Sequence, residues 1–225
     1  MKKLFLVVLF LCSCKSIVYE DVNPVIQPNT NLLPAMDSIV DINNLESTYS
    51  SGSYSAFANN VGAGYGANNF AGWLQTTAIN GTNYKDARVN DVINIFSKEV
   101  KENITNPYGK KKGYIVLRLG YRANEYAGEY LLPSLLTLGI INFTGFPAGK
   151  VTQSLEVEVE ILNKNKELIK RYTETVYNSN YIAMYWGYNE ESIHRKNAAD
   201  NIKQALEKIR LKIDSDANEI SKKLN

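Results

Sequence analysis

The chain has 225 residues, 44% of them hydrophobic, which is enough to build an ordinary packed core. Its formal charge of +2 includes Lys2 and Lys3, and without these two the acidic and basic side chains number 23 each. A chain this close to neutral gives no electrostatic basis for binding nucleic acid. The two cysteines are Cys12 and Cys14, so disulfides and thiol chemistry are excluded from the rest of the chain.

The first 14 residues have the pattern of a secretory signal. Two lysines precede an apolar run at 4–11, which is far shorter than the ~20 residues of a membrane-spanning helix. Leu11-Cys12-Ser13-Cys14 resembles a bacterial lipobox, in which Cys14 is acylated, for example with palmitate, and becomes the first mature residue. The resemblance implies a signal peptide over 1–13 and a lipid anchor at Cys14. An ordinary cleaved signal without lipid is the alternative.

The residues after Cys14 bear on location. In bacterial lipoproteins an Asp at the next position favours retention at the inner membrane, and here Lys15 stands there. Surface-exported lipoproteins of Bacteroidota tend to carry acidic residues close to the cysteine, whereas Glu20 and Asp21 come late. The resemblance therefore implies an outer-membrane protein that faces the periplasm rather than the cell surface.

Residues 14–35 are predicted to be the lipid anchor and a flexible tether, because Pro24, Pro28 and a polar run interrupt any periodic pattern. Residues 36–225 are predicted to form one α+β domain. Asp37-Ser38-Ile39 resembles the short O-glycosylation acceptor of periplasmic Bacteroidota proteins, which makes Ser38 a candidate glycosylation site.

The first half of the domain has two weak strand candidates, at 38–42 and 54–58, followed by a helix at 86–104. That helix has apolar residues at helical spacing; they are Val89, Val92, Ile93, Phe96, Val100 and Ile104. Residues 113–122 are apolar on both faces, which predicts a strand in the centre of the sheet.

Residues 152–162 alternate between apolar side chains and Glu156, Glu158 and Glu160, which predicts a strand with one solvated face. A metal or acid–base site is not favoured, because no His or Asp accompanies the three glutamates. Residues 167–177 return as an antiparallel partner and are expected to bring Lys170 near the glutamates.

A long helix is predicted at 192–224, packed up to Ile213 and projecting or fraying beyond it. The apolar stripe comprises Ile202, Leu206, Ile209, Ile213, Ile220 and Leu224. The predicted fold class is α+β, with a mainly antiparallel sheet of about four to five strands and two main helices, 86–104 and 192–224, packed on it.

An uncharged stretch of 17 residues, 131–147, allows three interpretations. It is a core segment that covers the sheet, a segment that dips into the membrane interface, or a surface that binds a protein partner. For the last two, the candidate contact residues are Leu131, Leu132, Leu135, Leu136, Leu138, Ile140, Ile141, Phe143 and Phe146.

Residues 181–188 form an aromatic cluster with two interpretations. Tyr181, Tyr185, Trp186 and Tyr188 form either a stacking platform for a glycan or peptide, or a plug at the end of the sheet.

No residue pattern indicates an enzyme, a metal site or a cofactor. His194 is the only histidine and has no set of partners in the sequence for metal binding or nucleophilic catalysis. We therefore expect no catalytic residues, no metal and no cofactor.

Together with the lipobox, Gly145-Phe146-Pro147 and Tyr185-Trp186-Gly187-Tyr188 resemble a family of uncharacterised small outer-membrane lipoproteins of Bacteroidota. The resemblance implies a lipid-anchored, non-catalytic envelope protein that acts through contact with a protein partner or the membrane surface. The alternative is a periplasmic module that binds a glycan or peptide through residues 181–188.

Overall fold

The protein is described by a computed structural model that covers residues 31–50, 87–127, 129–182 and 190–224. These residues form an α+β fold with a four-stranded mixed sheet and helices packed on it, which confirms the predicted fold class. The weak strand candidate at 54–58 lies outside the described residues.

The sheet contains strands β1 (Asp37–Val40), β2 (Gly113–Ala127), β3 (Gly149–Asn163) and β4 (Leu168–Ile182), in that spatial order. β1 pairs with β2 in parallel. The other two pairs are antiparallel, because Gly113 lies beside Leu162 and Gly149 beside Ala127, while the β3–β4 turn closes through Asn163 and Glu167. The predicted central strand is confirmed, since β2 has a neighbour on each side and most of its first ten residues are buried.

Four α-helices are described: α1 (Ile42–Ser50), α2 (Ala87–Glu99), α3 (Leu131–Leu136) and α4 (Glu190–Leu224). A π-helical turn, Val100–Ile104, continues α2, so the helix predicted at 86–104 is confirmed with a wider final turn. The widening is visible in the bond from the Thr105 amide to the Val100 carbonyl, five residues back, at 2.9 Å.

The predicted stripe of α4 is buried throughout its length, which confirms the helix at 192–224. The expectation that it projects or frays after Ile213 is wrong, because Ala217, Ile220 and Leu224 are all buried. Leu224 reaches Gly113 of β2, where its Cδ2 lies 3.1 Å from the position of an added Cβ. The same Cβ would lie 2.1 Å from the Leu162 carbonyl oxygen of β3, so glycine at this position is required first by the close approach of β3 and also leaves room for the end of the helix.

Lys170 pairs with α4 and not with the glutamates of β3. Its ammonium lies 3.2 Å from Asp216, which also accepts a 2.8 Å hydrogen bond from the Tyr172 hydroxyl. The hydrogen bond with Asp216 raises the pKa of Lys170. Arg171, on the opposite face of β4, takes the place that the sequence assigned to Lys170.

The packed part of the chain begins before the predicted end of the tether. Leu33 is fully buried and pairs with Thr105, and its amide donates to the Ile104 carbonyl at 2.9 Å. Ala35 and Met36 are also buried. The last residues of the range predicted as a flexible tether, 14–35, therefore belong to the core.

The described residues divide into two compact units. The first unit contains 125–127, 129–152, 179–182 and 190–197, and the second contains 31–50, 87–124, 153–178 and 198–224. β2, β3, β4 and α4 contribute residues to both. The single domain proposed for 36–225 stays a prediction, since two compact units can belong to one folding domain.

Candidate functional site

The uncharged stretch of the first unit folds into two short helical turns. α3 is followed by a 3₁₀ helix, Ile140–Thr144. α3 ends in a turn in which the Leu138 amide donates to the Leu135 carbonyl at 3.0 Å, and the Gly139 amide donates to the Ser134 carbonyl at 2.7 Å. We refer to residues 131–146 as the apolar segment.

Leu138 occupies the left-handed position of this turn, with φ of 49°. Glycine is the usual residue there, because it has no Cβ to clash with the following carbonyl, and the left-handed conformation costs other residues about 1–2 kcal/mol. Here a leucine takes that position, and its side chain is 87% exposed. Packing within the first unit does not explain a large apolar side chain at this point.

Seven large apolar side chains of the apolar segment point into solvent. Their exposed fractions run from 57% to 87%, and they are Leu131, Leu132, Leu135, Leu136, Leu138, Ile140 and Phe143. The interpretation of the segment as core is therefore wrong for these residues. Two further candidate contact residues, Ile141 and Phe146, are only half-buried.

The interior of the apolar segment is polar. Ser134 and Asn142 are its two buried side chains, and the Asn142 amide donates to the Ser134 hydroxyl at 3.1 Å and to the Phe146 carbonyl at 3.0 Å. The Ser134 hydroxyl in turn donates to the Tyr130 carbonyl at 2.9 Å. The segment thus has the reverse of the usual arrangement, in which apolar side chains are buried and polar side chains face water.

Aromatic rings and one cation border the apolar segment. The Tyr130 ring lies 6.1 Å from Phe146 and 5.6 Å from Tyr181, and the Lys150 ammonium lies 6.0 Å from the centre of the Tyr181 ring. The hydrogen bond with Tyr181 raises the pKa of the Tyr130 hydroxyl. We refer to these four residues as the aromatic border.

The predicted aromatic platform is described only in part. Tyr181 is the one member within the described residues, and it is 55% exposed. Tyr185, Trp186 and Tyr188 lie outside the described residues. The glycan- or peptide-binding alternative therefore stays a prediction.

His194 has a partner that the sequence did not indicate. Its Nε2 lies 3.0 Å from the Tyr126 hydroxyl, and the two rings meet edge to face. In the described ranges, no group of three or more His, Cys, Asp or Glu side chains could hold a metal ion.

Ser38, the candidate glycosylation site, is half-buried in β1 and aligned with Ile115 of β2. A glycan at a half-buried strand position has less room than one on a loop. Modification of Ser38 stays a prediction.

The second unit contains a charged cluster around one buried guanidinium. Arg118 lies 3.8 Å from Asp41, 4.0 Å from Glu158 and 3.9 Å from Glu160. Arg171 adds a 3.0 Å hydrogen bond to Glu160. The expectation of a solvated glutamate face is wrong for Glu160, which is 5% exposed.

Burial raises the pKa of Asp41 and of Glu158, and the neighbouring arginines oppose that shift. The sequence could have indicated this cluster, because a charged residue in a predicted central strand is buried and must be paired. Arg118 is such a residue, since it directly follows the four apolar residues 114–117 of that strand.

A second buried ion pair joins α2 to α4 within the second unit. Glu99 at the end of α2 lies 3.5 Å from Arg210 and accepts a 2.7 Å hydrogen bond from Asn103 of the π-helical turn. Burial raises the pKa of Glu99. All three side chains are buried, so the pair holds two helices together rather than presenting a reactive group to solvent.

No helix in the part of the chain that the structure describes is both long and apolar enough to cross a bilayer. No protein-family model matches the chain, and no curated protein matches it.

Proposed function

We propose that this chain is a lipid-anchored, non-catalytic envelope protein that acts through contact between its apolar segment and another component of the envelope. The lipobox at Cys14 supports the anchor, and Lys15 supports the outer membrane with the chain facing the periplasm. The proposal includes membership of the outer-membrane lipoproteins of Bacteroidota that the sequence resembles.

One observation carries the proposal of surface contact: seven large apolar side chains are exposed over a polar interior. Complete burial of a leucine, isoleucine or phenylalanine side chain is worth about 1.5–3 kcal/mol relative to full exposure. Covering even part of this surface therefore gives several kcal/mol toward association. A chain of this size rarely leaves such a continuous apolar surface uncovered without a role in binding.

The location of the charges supports contact rather than catalysis. The apolar segment contains no charged residue, and the buried carboxylates of the second unit are held beside Arg118, Arg171 and Arg210. Removing the guanidinium would leave such a carboxylate buried and uncompensated, so these pairs have a structural role.

The test is site-specific photo-crosslinking in intact cells. A photoreactive amino acid replaces Leu136 in one strain and Leu211 in another, because both leucines are exposed, at 76% and 57%, but only Leu136 belongs to the apolar segment. We expect crosslinks to an envelope component from position 136 and none from position 211. Equal crosslinking at the two positions, or none at 136, contradicts the proposal.

The anchor is tested separately with a palmitate analogue fed to the cells. The wild-type chain is expected to incorporate the label and the Cys14→Ser variant to lose it. Labelling that survives in the variant contradicts acylation at Cys14.

A further inference from the structure

We propose that the surface contacted by the apolar segment is the lipid bilayer itself, and that the segment inserts into the interfacial layer between headgroups and acyl chains. This inference rests on the proposed function, since it names the partner of the same surface. Four features of the first unit support this inference, and the first, second and fourth favour lipid over a protein partner.

The first feature is the internal satisfaction of the backbone. A bilayer offers no hydrogen bonds, so irregular chain that enters it must pair its own amides and carbonyls. After α3 the apolar segment contains only a short 3₁₀ helix, and yet seven amides at and beyond the end of α3 donate within the segment, to carbonyls three to five residues back. The donors are the amides of Thr137, Leu138, Gly139, Ile140, Asn142, Gly145 and Phe146.

The second feature is that the polar side chains of the segment are also paired internally. The Thr137 hydroxyl donates to the Pro133 carbonyl at 2.9 Å, and the Thr144 hydroxyl donates to the Ile141 carbonyl at 2.7 Å. Asn142 donates to Ser134 and to the Phe146 carbonyl. A protein partner normally reads such groups through hydrogen bonds in its interface, whereas here their donors are turned inward.

The third feature is the left-handed Leu138. The most exposed apolar side chain of the segment is carried by a residue whose backbone conformation favours glycine. Glycine would make the same turn without the strain but would add no apolar side chain at the tip. Backbone strain of this kind is found where function requires the side chain.

The fourth feature is the chemistry of the side chains next to the exposed leucines. Tyr130 directly precedes Leu131, its ring contacts Phe146 and Tyr181, and the Lys150 ammonium lies over the Tyr181 ring. Tyrosine rings and lysine ammonium groups suit the headgroup level of a membrane, where one end of the side chain is apolar and the other is hydrated. An uncharged apolar segment that is bordered by such side chains is the combination that an interfacial segment requires.

The size of the segment limits the depth of insertion. α3 has six residues and is about 9 Å long. Interfacial segments bury their apolar side chains to a depth of about 5–10 Å. The segment therefore enters one leaflet and does not cross the membrane.

The experiment places an environment-sensitive fluorophore on a cysteine introduced at Leu136 in the full lipidated chain, reconstituted into protein-free vesicles of phosphatidylcholine and phosphatidylglycerol. Leu211→Cys is the matched control, and the chain without an added cysteine gives the background, because the lipidated chain has lost Cys12 with the signal peptide and carries Cys14 in acylated form. We expect the fluorophore at position 136 to emit at shorter wavelength than the control. Lipids with a quencher on the acyl chain should quench it severalfold more strongly.

A second variant tests the chemistry of the surface rather than the fluorophore. With the fluorophore at Leu132, the double substitution Leu135→Asp and Leu136→Asp is expected to abolish the extra quenching. Both leucines are more than two-thirds exposed, so the fold is retained and circular dichroism should be unchanged.

Quenching that is equal at positions 136 and 211, or absent at 136, overturns the inference. Failure of this inference and failure of the proposed function are distinguishable, because the vesicles contain no other protein. If position 136 is not quenched in vesicles but crosslinks to a protein in cells, the proposed function stands and the lipid partner is wrong. If neither is observed, both are wrong.

Discussion

The second unit and the apolar segment of the first unit have opposite arrangements of polar and apolar side chains. In the second unit, apolar side chains of α2, α4 and the sheet are buried, and buried charges such as Arg118 and Glu160 are paired. In the apolar segment of the first unit, leucines face solvent and Asn142 is buried. The second unit thus follows the usual arrangement of a protein in water, whereas the apolar segment leaves its large apolar side chains uncovered.

The largest expected effect concerns the paired charges of the second unit. Arg118→Met removes the guanidinium shared by Asp41, Glu158 and Glu160 and leaves one buried and two half-buried carboxylates without that partner. Removal of one partner from a buried ion pair typically costs about 3–5 kcal/mol of unfolding free energy. Urea titration measures the loss. A loss below about 1 kcal/mol would show that the cluster is solvated in solution.

The second effect compares two leucines directly. Leu206→Ala in α4 removes a buried side chain and is expected to cost about 2–5 kcal/mol. Leu136→Ala removes an exposed one and is expected to change the unfolding free energy by less than about 0.5 kcal/mol. The two variants are compared by urea titration. Similar losses at both positions would mean that the apolar segment is packed and that the contrast between the units is wrong.

The third effect concerns the polar interior of the apolar segment. Asn142→Ala leaves the Ser134 hydroxyl and the Phe146 carbonyl without the amide that donates to them. An unsatisfied buried polar group costs about 1–3 kcal/mol. Hydrogen exchange of amides in 137–146 should accelerate in the variant, while amides of α4 beyond residue 198 serve as the control and stay unchanged. Equal acceleration in both regions would contradict a local role.

The fourth effect has the opposite sign. Leu138→Gly relieves the left-handed strain at φ of 49° and loses little packing, so we expect a gain of about 1 kcal/mol in unfolding free energy. The same variant should bind vesicles less well than the wild type. A variant that is less stable than the wild type and binds vesicles better would contradict the idea that Leu138 costs stability and strengthens membrane binding.

The smallest effect is a pH dependence in the second unit. Burial raises the pKa of Asp41 above its ordinary value of 3.8, so the folded state binds more protons than the unfolded state as pH rises through this range. The contribution of the Asp41 carboxyl to stability is fully present below its pKa in the unfolded state. It is lost as pH rises through the pKa of the same group in the folded state. Asp41→Asn removes that loss and preserves the cap on the Asn44 amide, because asparagine caps as well as aspartate.

We therefore expect Asp41→Asn and the wild type to unfold alike near pH 3 and the variant to be relatively more stable near pH 7. Urea titrations over this range provide the measurement. A variant whose relative stability falls as pH rises would show that the attraction to Arg118 outweighs the effect of burial.

The periodic spacing of apolar residues in the sequence predicts several helices and strands of the second unit. The stripe of α4 and the alternation of β3 each depend on side chains whose spacing decides which face is buried. The structure confirms the stripe, and it confirms the alternation as far as Val159, beyond which Glu160 is also buried. α1 was not predicted, because its sequence has only isolated apolar residues. Asn44 of α1 exchanges hydrogen bonds with the backbone of Leu119 through its side-chain amide, which no local pattern reveals.

The apolar segment illustrates a limit of sequence patterns. Leucines and isoleucines in 131–146 have the composition of a core, and composition alone does not distinguish a buried segment from an exposed one. The distinction lies in Ser134 and Asn142, eight residues apart, which turn toward each other only after the Leu138–Gly139 reversal. The aromatic border likewise depends on Tyr130 and Tyr181, which are distant in sequence.

The pairing of Leu33 with Thr105 marks the end of the tether that would connect an acylated Cys14 to the folded chain. The chain between these two points spans at most about 65 Å when fully extended. If Cys14 is acylated, contact between the protein and the membrane becomes an intramolecular event, governed by local concentration rather than by free diffusion. Weak and reversible contact through the leucines would then suffice, and an anchored protein would alternate between attached and released orientations while staying on the membrane.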